Sequence, residues 1–184
     1  MISLRRPSTG AIAAYRDTRV GVALTCAPAD SPPAGFHRET FSREIGAGAG
    51  SFERARAGLR LWAAHRGAGV EVFPDGVDVA EGETVAILTR QLGLWVLASC
   101  RIESVIDAPA AFGFVYATLP DHPECGYEAF VVKEGAGRVM FDIEAVSRPG
   151  IPVVGLGSPV TRRLQRRATS GYLDALERWT RRPN

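Results

Sequence analysis

Between Phe112 and Phe130 the chain gathers Tyr116, Thr118, His122, Glu124, Cys125 and Glu128, much of its polar chemistry, inside an otherwise apolar strand pattern. Period-two alternation puts Phe112, Phe114, Tyr116 and Thr118 on one face of a strand, and Glu128, Phe130 and Val132 on one face of the next. A hairpin register that joins those faces brings Glu128 beside Tyr116 and Thr118. A carboxylate so placed needs partners, and Arg101 on a neighbouring strand would supply charge-assisted hydrogen bonds. Such a carboxylate serves as a polar anchor for a ligand head group or as a general base with a raised pKa. The competing reading is an internal network that only stabilises the fold, or a register that turns Glu128 to water. His122 lies in the loop at the mouth of the hairpin, where a histidine also commonly bonds backbone. The expected ligand-binding set is Arg101, Phe114, Tyr116, Thr118, His122, Glu128 and Phe130; no catalytic residue, metal or cofactor is assigned.

Other apparent motifs weaken on inspection. His122-Pro-Glu-Cys125 shows the H-x-E half of a zinc deaminase signature, but no P-C-x-x-C follows, so two thiolate ligands are missing. A metal held by His122, Glu124 and Cys125 would need three ligands from consecutive residues around a proline, a poor fit to tetrahedral zinc. Gly46-Ala-Gly-Ala-Gly50 sits where a dinucleotide-binding loop would, yet Ser51 occupies the position of the third glycine. Arg162, Arg163, Arg166 and Arg167 form a basic band on a late helix, as a solvated helix face does. Ser99, Ser147 and Cys100 lack any nucleophile elbow, and Cys100 falls in a buried alternation. His65 ends a helix, where an exposed imidazole is common, and His37 stands near a strand start.

The elements that must position these groups follow from turn residues and periodicity. Residues 1–35 read as an irregular segment, with a helical turn over Ala11 to Tyr15 and a proline-rich connector over Cys26 to Gly35. A single domain occupies 36–184. It opens with a strand over Phe36 to Ile45 and a helix capped by Ser51, with Phe52, Ala55, Leu59, Trp62 and Ala63 as its apolar stripe, ending at Gly67. Strands follow over Thr84 to Thr89, Leu94 to Ile106, Phe112 to Leu119, Tyr127 to Lys133 and Arg138 to Arg148, with connections too short for parallel crossovers. Ser158 and Pro159 then start a helix whose stripe runs Val160, Leu164, Ala168, Tyr172, Ala175 and Trp179. That order predicts an α+β fold, with Trp179 on the sheet edge.

Gly48 to Leu59, Trp62, Cys100-Arg101, Gly113 to Leu119 with His122 and Glu128, Ser147-Arg-Pro149, Pro159 and Gln165 together resemble the DUF1990, or UPF0548, family. The resemblance covers nearly the whole chain after Phe36. Ala117 stands where that family usually has glycine, and Tyr127 replaces the first of two adjacent acids. The family is similar in its order of elements to the START and Bet v 1-like proteins, which implies a helix-grip fold: an antiparallel sheet wrapped around a long C-terminal helix. By the same analogy it implies a cavity between sheet and helix.

Composition sets the remaining bounds. A chain of 184 residues, 46% of them hydrophobic, supports one full core. The net charge of +2 is too small to argue for a nucleic-acid partner. Three cysteines without CxxC spacing suit a reducing cytoplasm, and no apolar run reaches transmembrane length. The expected function is binding of a small apolar or amphipathic ligand in a hydrophobic cavity. The alternatives are an isomerase, cyclase or hydrolase with Glu128 or His122 as proton carrier, and a non-catalytic interaction module with a filled core. Oligomeric state stays open.

Overall fold

Short connections force successive strands to pair antiparallel, and eight such strands form one sheet in the computed structural model. The structure describes residues 1–29, 31–150 and 158–182, with only the backbone described over 158–166. The elements are β1 (Ile2–Ser3), α1 (Thr9–Asp17), β2 (His37–Ala47), α2 (Ala49–Arg60), α3 (Ala63–Gly67), β3 (Glu71–Phe73), β4 (Thr84–Gln91), β5 (Leu94–Ala108), β6 (Ala111–Thr118), β7 (Glu124–Gly135), β8 (Arg138–Pro149) and α4 (Ser158–Thr180). The strand order is β2-β8-β7-β6-β5-β4-β3, with β1 added against β5. The expected helix-grip architecture is present: α4 and the α2–α3 pair lie on one face of the antiparallel sheet. The Ser158 cap, Pro159, Val160, Leu164, Gln165 and the Arg162, Arg163 and Arg166 part of the basic band lie outside the described side chains.

Alternation divides every strand between an inner face toward these helices and an outer face. Phe112, Phe114, Tyr116, Phe130, Val132, Phe141 and Ile143 point inward and meet Phe52, Leu59, Trp62, Tyr172 and Leu176 in the main core. Burial of aromatic side chains on this scale is the dominant stabilising term of the fold. The outer face is covered by N-terminal segments. α1 packs Ile12 on Ala86, Leu88 and Leu97, and Leu24 and Phe36 pack on Ala117, Tyr127 and Val146. The first 35 residues thus contribute a strand and a helix, Ser8 capping α1 by accepting from Ala11 N–H at 3.2 Å.

Three expectations need correction. The helix expected from Ser51 begins earlier, because the Gly48 carbonyl already accepts from Ser51 and Phe52 N–H at 3.0 and 3.2 Å. That helix also does not run unbroken to Gly67: Trp62 takes a left-handed conformation, φ 58°, and separates α2 from α3. Finally, Trp179 packs on α2 rather than the sheet edge, its indole donating to Arg54 O at 3.1 Å. Gly58 makes that approach possible, since a Cβ there would stand 2.5 Å from the Trp179 ring.

Candidate functional site

Register decides which polar groups meet. Tyr116 lies directly opposite Glu128 and Phe114 opposite Phe130, so the two inner faces join as the alternation requires. The Tyr116 hydroxyl donates to Glu128 Oε2 at 2.8 Å. Behind this pair stands His65, fully buried on α3, with ring centroids 4.7 Å from Phe130, 4.8 Å from Tyr172 and 5.0 Å from Trp62. Its Nε2 is 3.5 Å from the Tyr116 hydroxyl, a long contact, and among the described residues its Nδ1 has no hydrogen-bond partner.

The cluster is therefore a wall of rings with one carboxylate at its margin. Burial alone lowers the His65 pKa to about 3, keeping the imidazole neutral. Burial raises Glu128 to about 7, with Tyr116's hydrogen bond pulling down and the nearby Glu124 charge pushing up. Glu128 retains some accessible surface, but rings pack around it and withhold solvent from its charge. Burial also pushes the Tyr116 and Tyr172 phenols and the Cys100 thiol well above their ordinary values. At neutral pH the site holds a half-ionised carboxylate, neutral phenols, a neutral imidazole and a protonated thiol. Such a set exchanges protons and hydrogen bonds; it offers no activated nucleophile.

Arg101, expected beside Glu128, is not there. It pairs in register with Ala117, an outward residue, and its guanidinium donates to Val22 O at 2.7 Å on the outer face. The parity of β5 decides this: Cys100 and Ile102 point inward, so Arg101 between them points outward. Thr118 is also absent from the anchor, because its hydroxyl bonds Gly126 N–H at 2.9 Å and Gly126 O at 3.1 Å. Gly126 is required there, since a Cβ would come within 2.0 Å of Val146 O. His122 has the backbone-bonded geometry: Nδ1 lies 3.0 Å from Glu124 N and 2.9 Å from Glu124 O, and burial lowers its pKa to about 4. The set brought together is Phe114, Tyr116, Glu128 and Phe130.

His65 is a correction as well as an omission, since it is buried rather than exposed. The signal was present: Leu59, Trp62 and His65 recur every three residues and continue the apolar stripe of α2. Tyr172 was legible as part of the α4 stripe, though not as a neighbour of Glu128. The two described pockets, of about 550 and 480 Å³, lie beside Met1 and Tyr15 and between α3 and the end of α4. Among the described residues the space between sheet and α4 is filled by rings. No group of three His, Cys, Asp or Glu converges on a metal position among the described residues.

The domain of unknown function DUF1990 matches residues 19–175. The chain belongs to the DUF1990 family. It is 35% identical over 135 residues to a UPF0548 protein of Dictyostelium discoideum, covering 66% of this chain and 62% of that protein, just under two thirds of its length. It is 30% identical to a UPF0548 protein of Deinococcus radiodurans, covering 97% of this chain and 98% of the relative. A START superfamily protein of Mycobacterium smegmatis superposes with a TM-score of 0.53 at 14% identity, covering 77% of this chain and 94% of that one. At that identity the likeness speaks for the fold alone. In this DUF1990 chain Tyr127 points outward and donates to Ala29 O at 2.8 Å. Positions 127 and 128 lie on opposite faces of β7, so adjacent acids here would straddle the sheet and could not act as a pair.

Among the described residues no helix is long and apolar enough to cross a membrane.

Proposed function

We propose that the protein binds a small, largely apolar molecule carrying one hydrogen-bonding group at the margin of the seam between sheet and α4. The polar group meets Glu128 and Tyr116, and the apolar body enters by parting the rings of Phe114, Phe130 and Tyr172, which are closed against one another in this structure. The observation that carries this reading is the Tyr116–Glu128 bond of 2.8 Å in a ring-lined margin where Glu128 keeps accessible surface. A carboxylate there has strong hydrogen-bonding capacity left over, and an incoming donor in poorly solvated surroundings gains from it. The START-like fold supports the same reading by analogy.

Native mass spectrometry of protein purified from its own host should show a retained small-molecule mass. Glu128→Gln should weaken that retained molecule's binding by about ten- to a hundred-fold, the scale of a lost charge-assisted bond. Equal ligand-induced thermal stabilisation of wild type and variant would remove Glu128 from the site.

A second reading, an enzyme using Glu128 as proton carrier, is favoured by the carboxyl pKa of about 7, which suits acid–base exchange at neutral pH. The two separate on whether the retained molecule leaves chemically changed. His122 is the weaker carrier, since its Nδ1 is engaged with the backbone of Glu124.

A further inference from the structure

The hairpin joining β4 to β5 turns through Leu92 and Gly93, with φ of 50° and 85°. A two-residue turn with positive φ at both positions favours Asn or Gly at the first, because a Cβ crowds the backbone in the left-handed region. Leucine stands there with 69% of its surface exposed. A strained backbone that holds an apolar side chain in water gains nothing for the fold, and such outliers point to function. Its neighbours repeat the pattern: Leu94 is 36% exposed, Ile2 53% and Leu4 82%. β1 pairs with β5 so that Ile2 lies beside Val96 and Ser3 beside Trp95. Alternation then puts Ile2, Leu4, Leu94 and Val96 on one face of the hairpin tip.

The charge around this tip has one dominant sign. The guanidinium groups of Arg6 and Arg90 stand 5.8 and 5.9 Å from the Trp95 ring, and Arg5 is exposed beside Arg6 in sequence. No acidic residue occurs from Met1 to Arg16 or from Thr84 to Ile102. Glu71 supplies a counter-charge to Arg6. By the same alternation Trp95 and Arg90, which pair across the hairpin, lie on the face opposite Leu94 and Val96, so a tip that enters first through Leu92 matches the physics of a bilayer interface: the apolar tip enters the headgroup–acyl boundary, the indole sits at its level, and arginines reach anionic headgroups.

We propose that the β1/β4–β5 tip is a docking surface for an anionic lipid bilayer, with Leu92, Leu94, Ile2 and Leu4 inserted and Arg5 and Arg90 holding the headgroups. The surface stands independently of the ligand reading. A protein partner of the same patch would have to match both an exposed turn leucine and a fringe of like charges, which a headgroup layer does without a dedicated groove.

The test is co-sedimentation of the full chain with vesicles of phosphatidylcholine alone and of phosphatidylcholine mixed with phosphatidylserine. The protein should partition to the mixed vesicles, weakly to the neutral ones, and less as salt is added. Leu92→Asn with Leu94→Thr should reduce partitioning by about ten-fold or more. Asparagine suits the left-handed turn, so the melting temperature should hold or rise and separate lost docking from lost folding. Arg5→Gln should reduce partitioning by about five-fold, the share of one arginine near an anionic surface. Indifference of the wild type to both vesicles overturns the proposal, as does a Leu92/Leu94 variant that binds like wild type. Equal partitioning to neutral and mixed vesicles overturns the arginine role. Self-association that Leu92→Asn abolishes, without vesicle binding, assigns the patch to a second copy of the chain and overturns lipid docking.

Discussion

The same two strands, β6 and β7, carry two sets of polar groups, one held by the N-terminal segment and the hairpin end and one facing the rings, and the two differ in how completely they are satisfied. Thr118, at the end of the Tyr116 face of β6, is bonded to both backbone atoms of Gly126, with Thr25 beside it, and on the outer face Tyr127 is bonded to Ala29 O and Arg101 of β5 to Val22 O. On the inner face Glu128 receives a hydrogen bond from Tyr116, and among the described residues no guanidinium or ammonium reaches it. His65 Nδ1 is buried without a partner among those residues. A satisfied cluster rigidifies the joint between the N-terminal segment and the sheet. An unsatisfied one retains hydrogen-bonding capacity that a ligand or a proton can use. The two sets differ in satisfaction rather than in polarity.

The sharpest break would come from the ring wall itself. Phe130→Ala opens the inner cluster at its centre, where Phe130 touches Phe114, Tyr116, His65, Phe141 and Tyr172, and should cost about 4 kcal/mol in chemical denaturation. A loss under about 1 kcal/mol would mean the wall is loosely packed and already open, and the contrast between a filled seam and an accessible margin would vanish.

Next in size is the pH dependence of Glu128. Its folded pKa of about 7 lies above the ordinary 4.5, so the folded state binds this proton more tightly than the unfolded state. The stability it contributes is fully present below about pH 4.5 and is lost as pH rises through about 7, up to about 3 kcal/mol. Glu128→Gln, which cannot ionise, should gain on wild type by up to that amount between pH 5 and pH 8 in urea midpoints. A constant gap across the range would show Glu128 to be ordinarily solvated. His65 acts with opposite sign: its pKa of about 3 lies below the ordinary 6.5, so its contribution is present above about pH 6.5 and fades as pH falls toward 3.

The satisfied groups should respond to substitution without such pH dependence. Thr118→Val leaves Gly126 N–H buried without its acceptor and should cost about 2 kcal/mol, equally at pH 5 and pH 8. Arg101→Met keeps most of the apolar stem and loses the bond to Val22 O, at a cost of about 1 kcal/mol. Neither change should alter the mass retained in native mass spectrometry. A lost ligand in Arg101→Met would restore that residue to the binding set and erase the division between the two sets.

How much of this was legible depends on whether the signal was local. Alternation over Phe112 to Thr118 and Glu128 to Val132 was enough to place Tyr116 and Glu128 on meeting faces, because a hairpin with one buried face tolerates no one-residue slip. The same alternation, applied to Cys100, Arg101 and Ile102, was enough to turn Arg101 outward once Cys100 was read as buried; the charge partnership expected for Glu128 set that parity aside. The resemblance in motifs reached the family and the helix-grip order for the same reason, since both are written in short runs.

What the sequence determined by itself was the succession of elements and the face of each strand, because backbone periodicity is set by neighbours in the chain. Only the tertiary structure decided that α3 delivers His65 into the rings behind Tyr116, that Tyr172 of α4 meets it at 4.8 Å, and that the N-terminal segment claims Arg101 and Tyr127. Those contacts join residues tens of positions apart. Their geometry depends on how whole elements pack, through close approaches such as Trp179 on Gly58, and no local pattern records it.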